Sequence, residues 1–370
     1  MLIVFLGACQ KNEGLQSQAA QPQQIPAVEV TLLAVGDNLI HNTLYEQAET
    51  ADGYDFSSMY EKVEPLIQEA DIAFINQETP LATEVFPPAN YPLFNTPTQV
   101  GDELLEIGFD VISHANNHMF DKGEKGMIAT LDYWDTKKDT KIVGIYRNDA
   151  DMADIRVISI NGLRIAFLAC TEMTNGMSIP DDSELRYILT SDEEMLQEQI
   201  TQAKQLADLV VMAPHWGDEG SHQPNERQKA LAQKMAQWGV DIIIGSHSHT
   251  LQPIEYIERQ GEQPTLVIYS LGNFISGQHG AKNMVAGALR VTISKDYQKD
   301  PLVSISKVEF VPTITHFGSG ISNLQIYPFS EYTEELAQNH GVRKYDSSFS
   351  YEYITNTLTE VIGSEFLVMN

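Results

Sequence analysis

The feature that most constrains this chain is a repeated pairing: a short apolar run, then at once a cluster of His, Asn, Asp or Glu. Val28 to Val35 (VEVTLLAV) ends at Gly36-Asp37, and Asp71 to Ile75 (DIAFI) ends at Asn76-Gln77-Glu78. Asp110 to Ile112 leads into Ser113-His114-Ala115-Asn116-Asn117-His118, and Leu209 to Met212 precedes Pro214-His215-Trp216-Gly217. Asp241 to Ile244 (DIII) runs into Gly245-Ser246-His247-Ser248-His249. Runs this short, aliphatic and β-branched, read as buried strands. Between them, Glu61 to Glu69, Thr98 to Ile107, Glu193 to Ala207 and Asn225 to Trp238 have helical character, with Gly108 and Gly239 as stops. Arg156 to Ile160 and Arg164 to Cys170 read as a hairpin around Asn161-Gly162. Leu266 to Tyr269, Ala286 to Ile293 and Val303 to Val311 read as further strands, and Tyr353 to Ile362 as a final helix. Alternating strands and helices predict an α/β layered fold. In such sheets a ligand site lies beyond the carboxyl ends of the strands. The polar clusters are therefore expected to meet in one place.

Gathered there, they supply Asp37, His41, Glu78, Asn117, His118, His215, His247 and His249. Carboxylate, imidazole and amide oxygen suit Zn, Mn or Fe, and no thiolate competes. These are more donors than one tetrahedral ion uses, so two divalent ions sharing a carboxylate are expected, typically about 3.5–4 Å apart. The histidines outside the metal clusters, His114, His222, His279, His316 and His340, read as ordinary core or surface residues, and Cys170 as a buried small side chain.

Composition narrows the function. Of 370 residues 42% are hydrophobic and 20% charged, which excludes a largely disordered chain. The net charge of -28 disfavours nucleic-acid binding, and a polyanionic substrate would need local positive charge from metal ions. With two cysteines, Cys9 and Cys170, a disulfide framework is excluded. Residues 1–9 carry the apolar stretch MLIVFLGA before Cys9, and Leu6-Gly7-Ala8-Cys9 resembles a bacterial lipobox. Residues 10–27, rich in Gln, Ala, Pro and Ser, read as a flexible tether. Residues 28–320 form the expected domain, and 321–370 a C-terminal extension packing on it. Lipid attachment at Cys9 would place the protein outside the cytoplasm, anchored to the cell membrane as a lipoprotein and not spanning it.

The clusters also carry a family resemblance. Gly36-Asp37-Asn38-Leu39-Ile40-His41, Asn76-Gln77-Glu78, Ala115-Asn116-Asn117-His118 with Asp121 and Gly123, His215-Trp216-Gly217-Asp218-Glu219, Gly245-Ser246-His247-Ser248-His249 and Ser270-Leu271-Gly272-Asn273-Phe274 resemble, in order, the motif series of the bacterial capsule-synthesis CapA family. The resemblance runs from Val28 to about Ile275 and implies a metallophosphoesterase-like β-sandwich flanked by helices. It implies that Asp37, His41 and His249 hold one metal and that Asn117, His215 and His247 hold the other. Glu78 would bridge them, and His118 would be the general acid or transition-state stabiliser. In this chain three residues separate Asp37 from His41 where the wider phosphoesterase superfamily has one, and Glu78 stands where that superfamily has aspartate. Trp216 is open between lining the cleft and packing. Glu219 is a candidate to orient His215, and Asn273 to shape the site wall.

The resemblance implies a role in poly-γ-glutamate capsule synthesis or export, with capsule membrane components or a surface polymer as partners and no nucleic acid. If the protein is an enzyme, a metal-dependent hydrolase is expected. The alternatives are a non-catalytic surface scaffold that binds a polymer or partner at the metal cleft, and a phosphodiesterase unrelated to capsule.

Overall fold

Two β-sheets face each other across an apolar layer, with helices on their outer sides. The computed structural model describes Leu2 and residues 26–369; the lipobox, Cys9 and nearly all of the tether lie outside the described residues. The first sheet has the order Gln325–Pro328, Val303–His316, Val285–Lys295, Val28–Leu39, Ile72–Gln77, Val111–Ser113, Lys141–Val143, and Asn273–Ser276 pairs with the far end of Val28–Leu39. From Val28–Leu39 to Lys141–Val143 the strands run parallel; on the other side they are antiparallel. The second sheet has the order Ile254–Ile257, Thr265–Ile268, Ile242–Ile244, Leu209–His215, Leu163–Thr171, Arg156–Ile160, with a parallel centre and an antiparallel strand at each edge.

The strand period of two builds the layers. In Leu163–Thr171, Leu163, Ile165, Phe167 and Ala169 join the core between the sheets. Ala166, Leu168 and the free cysteine Cys170 join a second core with Leu196, Ile200 and Ala203 of helix Glu193–Leu206 and Leu231, Ala232 and Met235 of helix Glu226–Trp238. Each fully buried aliphatic or aromatic side chain contributes about 1.5–3 kcal/mol, so a strand buried on both faces is a strong anchor. Helix Glu226–Trp238 opens with a capping box between Asn225 and Gln228 and closes at Gly239, whose φ is 108°.

The C-terminal residues share the main core: Phe349, Ile354 and Leu358 are fully buried in it, and Gln325–Pro328 edges the first sheet. Several elements differ from the sequence reading, among them short pieces such as Asn42–Ala48, Lys141–Val143 and Ile254–Ile257 that it does not contain. The helix expected over Glu61 to Glu69 is shortened to Glu64–Gln68, with Pro65 in its first turn, and a separate single turn, Ser57–Tyr60, precedes it. Helix Gly123–Asp135 was not read from the sequence, because two glycines weaken its pattern; it buries Met127, Thr130, Leu131 and Trp134. Among the described residues, no helix is long and apolar enough to cross a membrane.

Within each sheet, close backbone contacts hold the carboxyl ends of neighbouring strands together. Asp37 N–H donates to Gly272 O at 3.0 Å, and a Cβ on Gly36 would lie 1.9 Å from that same oxygen. Gly245 N–H donates to Ile268 O at 2.8 Å, and a Cβ there would lie 1.9 Å from Tyr269 O. Gly36→Ala should therefore cost about 1–3 kcal/mol of stability, read from urea denaturation. An unchanged midpoint would mean these strands can part without loss.

Candidate metal centre

Both sheets deliver side chains to one junction. The first contributes Asp37, Glu78, Asn117 and His118; the second contributes His215, His247 and His249, and all seven are buried. Asp37 is placed by an irregularity: the Val28–Leu39 strand shifts register on both neighbours there, pairing Asp37 with Asn76 on one side and Asn273 on the other. Such a bulge re-aims a side chain. The strand thus continues to Leu39, four residues beyond the end expected at Val35. His247 and His249 have φ of 91° and 55°, left-handed values uncommon outside glycine. These turns carry alternate imidazoles of the loop to the same centre.

Two groups of potential ligands result, Glu78 with His215 and His247, and Asp37 with Glu78 and His249. Glu78 belongs to both. His215 Nε2 lies 2.9 Å from Asn117 Oδ1, 3.0 Å from His247 Nδ1 and 3.6 Å from Glu78 Oε1. His249 Nε2 lies 3.6 Å from Glu78 Oε1, and its Nδ1 lies 3.3 Å from Asp37 Oδ2. Donor atoms around one tetrahedral ion at about 2.0–2.1 Å sit roughly 3.3 Å apart, so this spacing suits a shared cation.

The clearest sign that a cation fits is Glu78 itself. It is fully buried, yet among the described residues neither carboxylate oxygen has a hydrogen-bond partner. Burial, with Asp37 nearby and His249 only partly offsetting it, pushes its pKa well above the ordinary carboxylate range. Burial and the other histidines hold His215 far below its usual value, and burial and His249 lower His247 to about 4. Both therefore present neutral imidazoles with available lone pairs at neutral pH. Burial alone would lower His249 too, but the Glu78 and Asp37 carboxylates outweigh it and raise it to about 10. The protonated ring then occupies a place for positive charge between two buried carboxylates.

Other anticipated residues fall in different positions. His41 stands outside both groups; its Nδ1 lies 3.1 Å from Gly277 N and its ring meets Phe94 edge-on at 5.0 Å. It stays near the centre, since the charges of His249 and His118 act on it. Trp216 packs: adjacent residues at a strand end face opposite ways, so with His215 in the centre the indole turns into the second core, donating to Tyr269 O at 3.0 Å. Glu219 is exposed and makes no hydrogen bond to His215 among the described residues. Ser246 does that work, 2.8 Å from His215 Nδ1, with Asn76 3.3 Å from the same atom. Asn273 instead holds His249, with Oδ1 2.9 Å from its Nδ1. His114 accepts from Trp134 Nε1 at 2.7 Å, His222, His316 and His340 are likewise hydrogen-bonded locally, and His279 is exposed against Tyr345.

Sequence reasoning gave no role to Asn76, Ser246, Asp121, Phe94 or Asn175. Asp121 accepts from His118 Nδ1 at 2.7 Å, and Phe94 packs edge-on against the same imidazole at 4.7 Å. Asp121 lies three residues after His118, which is a readable signal for a carboxylate partner.

A two-sheet sandwich with a buried carboxylate-histidine-asparagine centre at the strand ends defines a metallophosphoesterase-like protein. The chain belongs to the family described as bacterial capsule synthesis protein PGA_cap, whose sequence model matches residues 31–278. It is 32% identical over 242 residues to the PGA biosynthesis protein CapA of Bacillus subtilis (strain 168), covering 65% of this chain and 62% of that protein. It is also 32% identical over 260 residues to the capsule biosynthesis protein CapA of Bacillus anthracis, covering 68% and 60%. The match thus spans about three fifths of the length of these relatives. Among solved structures, the NAD nucleotidase of Haemophilus influenzae shares the fold, with a TM-score of 0.50 and 13% identity over 93% of this chain and 64% of that one. The family anticipated from the motif series is the family found.

If the centre holds metal through Glu78, elemental mass spectrometry should find transition metal in the purified chain and a loss of at least half in Glu78→Ala and His247→Ala. Equal metal in wild type and variants, or none in any after reconstitution with Zn or Mn, would refute it.

Proposed function

We propose that the chain is a lipid-anchored, extracytoplasmic protein of poly-γ-glutamate capsule synthesis or export, and that its centre holds two divalent transition-metal ions and hydrolyses its substrate. The observation that carries this reading is Glu78, buried without a donor among the described residues and common to both ligand groups. Asn117, His215 and His247 with Glu78 would hold one ion, and Asp37 and His249 with Glu78 the other. Zn, Mn and Fe all accept this donor set. Bound metal would supply Lewis acidity and activate water for attack on a phosphoryl or acyl centre. The names of the two CapA relatives support the capsule role, and Cys9 after MLIVFLGA supports the anchor.

His118 provides the acid-base function. Asp121 Oδ2 accepts a hydrogen bond from Nδ1–H and also accepts from Phe94 N–H at 2.7 Å, so the tautomer and ring orientation are set. Nε2 is then the atom that gives or takes a proton at the leaving group. Phe94 walls the ring from one side.

Phosphoesters and γ-glutamyl peptides are the substrates to screen. His118→Ala should lower turnover about 10²–10⁴-fold while metal content stays at the wild-type level. Undiminished turnover would remove His118 from the reaction, and no turnover in the metal-loaded wild type would leave a surface scaffold that binds polymer at this cleft. For the anchor, mass spectrometry of the membrane fraction should find lipid on Cys9 and residues 1–8 removed; a soluble protein with an unmodified Met1 would overturn it.

A further inference from the structure

We infer that Asn175, on the loop following the Leu163–Thr171 strand, is a substrate-contacting residue whose amide donates to an oxygen of an anionic substrate group; the inference rests on the metal-centre reading above. The base of this loop is fixed to the segment bearing His215. Glu172 N–H donates to His215 O at 2.8 Å, Gly217 N–H donates to Glu172 Oε2 at 2.8 Å, and Arg227 Nε pairs with Glu172 Oε1 at 2.9 Å. Further along, the Thr171 hydroxyl donates to Met173 O at 2.9 Å and Met177 N–H donates to Thr174 O at 2.8 Å. Asn175 and Gly176 form the tip with φ of 52° and 74°. Asparagine is one of the few side chains that tolerates this region. The tip is therefore held over the centre by its own turn and by the His215 strand.

The direction of the amide follows from its neighbours. Asn117 Oδ1 faces His215 Nε2 at 2.9 Å, which turns Asn117 Nδ2 outward to donate to Asn175 Oδ1 at 3.3 Å. With its oxygen engaged, Asn175 presents its NH2 toward His118, where Nδ2 lies 3.5 Å from His118 Nδ1. That nitrogen is no acceptor, because it carries the proton it donates to Asp121. Among the described residues the Asn175 NH2 has no other partner. Asn175 is exposed, whereas Asn117 and His118 beneath it are buried. A pre-positioned donor at the mouth, next to an imidazole with a free Nε2, is complementary to an oxygen-rich anion such as a phosphoryl group or a carboxylate.

The test uses the metal-loaded full chain and calorimetric binding of two separate probes, inorganic phosphate and a γ-linked glutamate oligomer. Asn175→Ala should weaken the responding probe about 2–10-fold, the effect of a lost hydrogen bond. Asn175→Asp should weaken it further by placing a carboxylate against an anion, and both variants should keep wild-type metal content and melting temperature. The probe that responds identifies the source of the anion. Unchanged affinity in both variants, or a metal-loaded wild type that binds neither probe, would overturn the inference. Loss of metal in the variants would also overturn it, making Asn175 a support for Asn117. A wild type without metal would instead refute the reading on which it rests.

Discussion

A carboxylate with both oxygens buried and neither hydrogen-bonded is costly for a fold to keep, and Glu78 is such a group among the described residues. The two sheets close over it from opposite sides. Close backbone contacts at Gly36 and Gly245 hold neighbouring strand ends together within each sheet, and the register change at Asp37 turns a second carboxylate inward. The left-handed backbone at His247 and His249 adds a strain of order 1–3 kcal/mol per residue. None of these features improves a core. They are compatible with stability because the sandwich around them is deeply buried and because a cation at the junction would relieve the charge that burial isolates.

The histidines divide the electrostatic work. His215 and His247, neutral through burial, repel a cation no more than water would and offer it lone pairs. His249 behaves in the opposite sense, since Asp37 and Glu78 favour its charged form. Its proton is an internal counter-ion that a metal would replace, so under the metal-centre reading proposed above, uptake of metal would release a proton from this ring. Surrounding hydrogen bonds fix the rings in place: Ser246 and Asn76 on His215, Asn273 on His249, Asp121 on His118.

Much of this was legible in the sequence because strand ends and polar clusters coincide. The hairpin at Asn161-Gly162, the stop at Gly239 and the junction of Asp37, Glu78, Asn117, His215, His247 and His249 follow from local patterns plus one topological rule. What was not legible depends on side-chain direction and register. The aim of Asp37 depends on a bulge that no local pattern announces, and Glu219, exposed just past the turn at Gly217 where φ is 96°, acts on Glu78 and His249 through its charge alone. Trp216 was decidable in principle, since strand alternation forbids it the face that His215 uses. Asn175 lies just past a recognised strand, and the same strand-end rule would have reached it had the hairpin strand been treated like the others.

The charge of the whole molecule bears on how such a centre selects its ligand. With a net charge of -28, the body repels polyanions over most of its surface. The leading charged neighbours of Glu78, His215, His247 and His249 are carboxylates and other imidazoles, not lysine or arginine. Attraction for an anion at this mouth therefore has to come from a bound cation and from neutral donors such as the Asn175 amide. An acidic body with one cationic cleft favours end-on or single-group engagement of a polyanion over adsorption along its length.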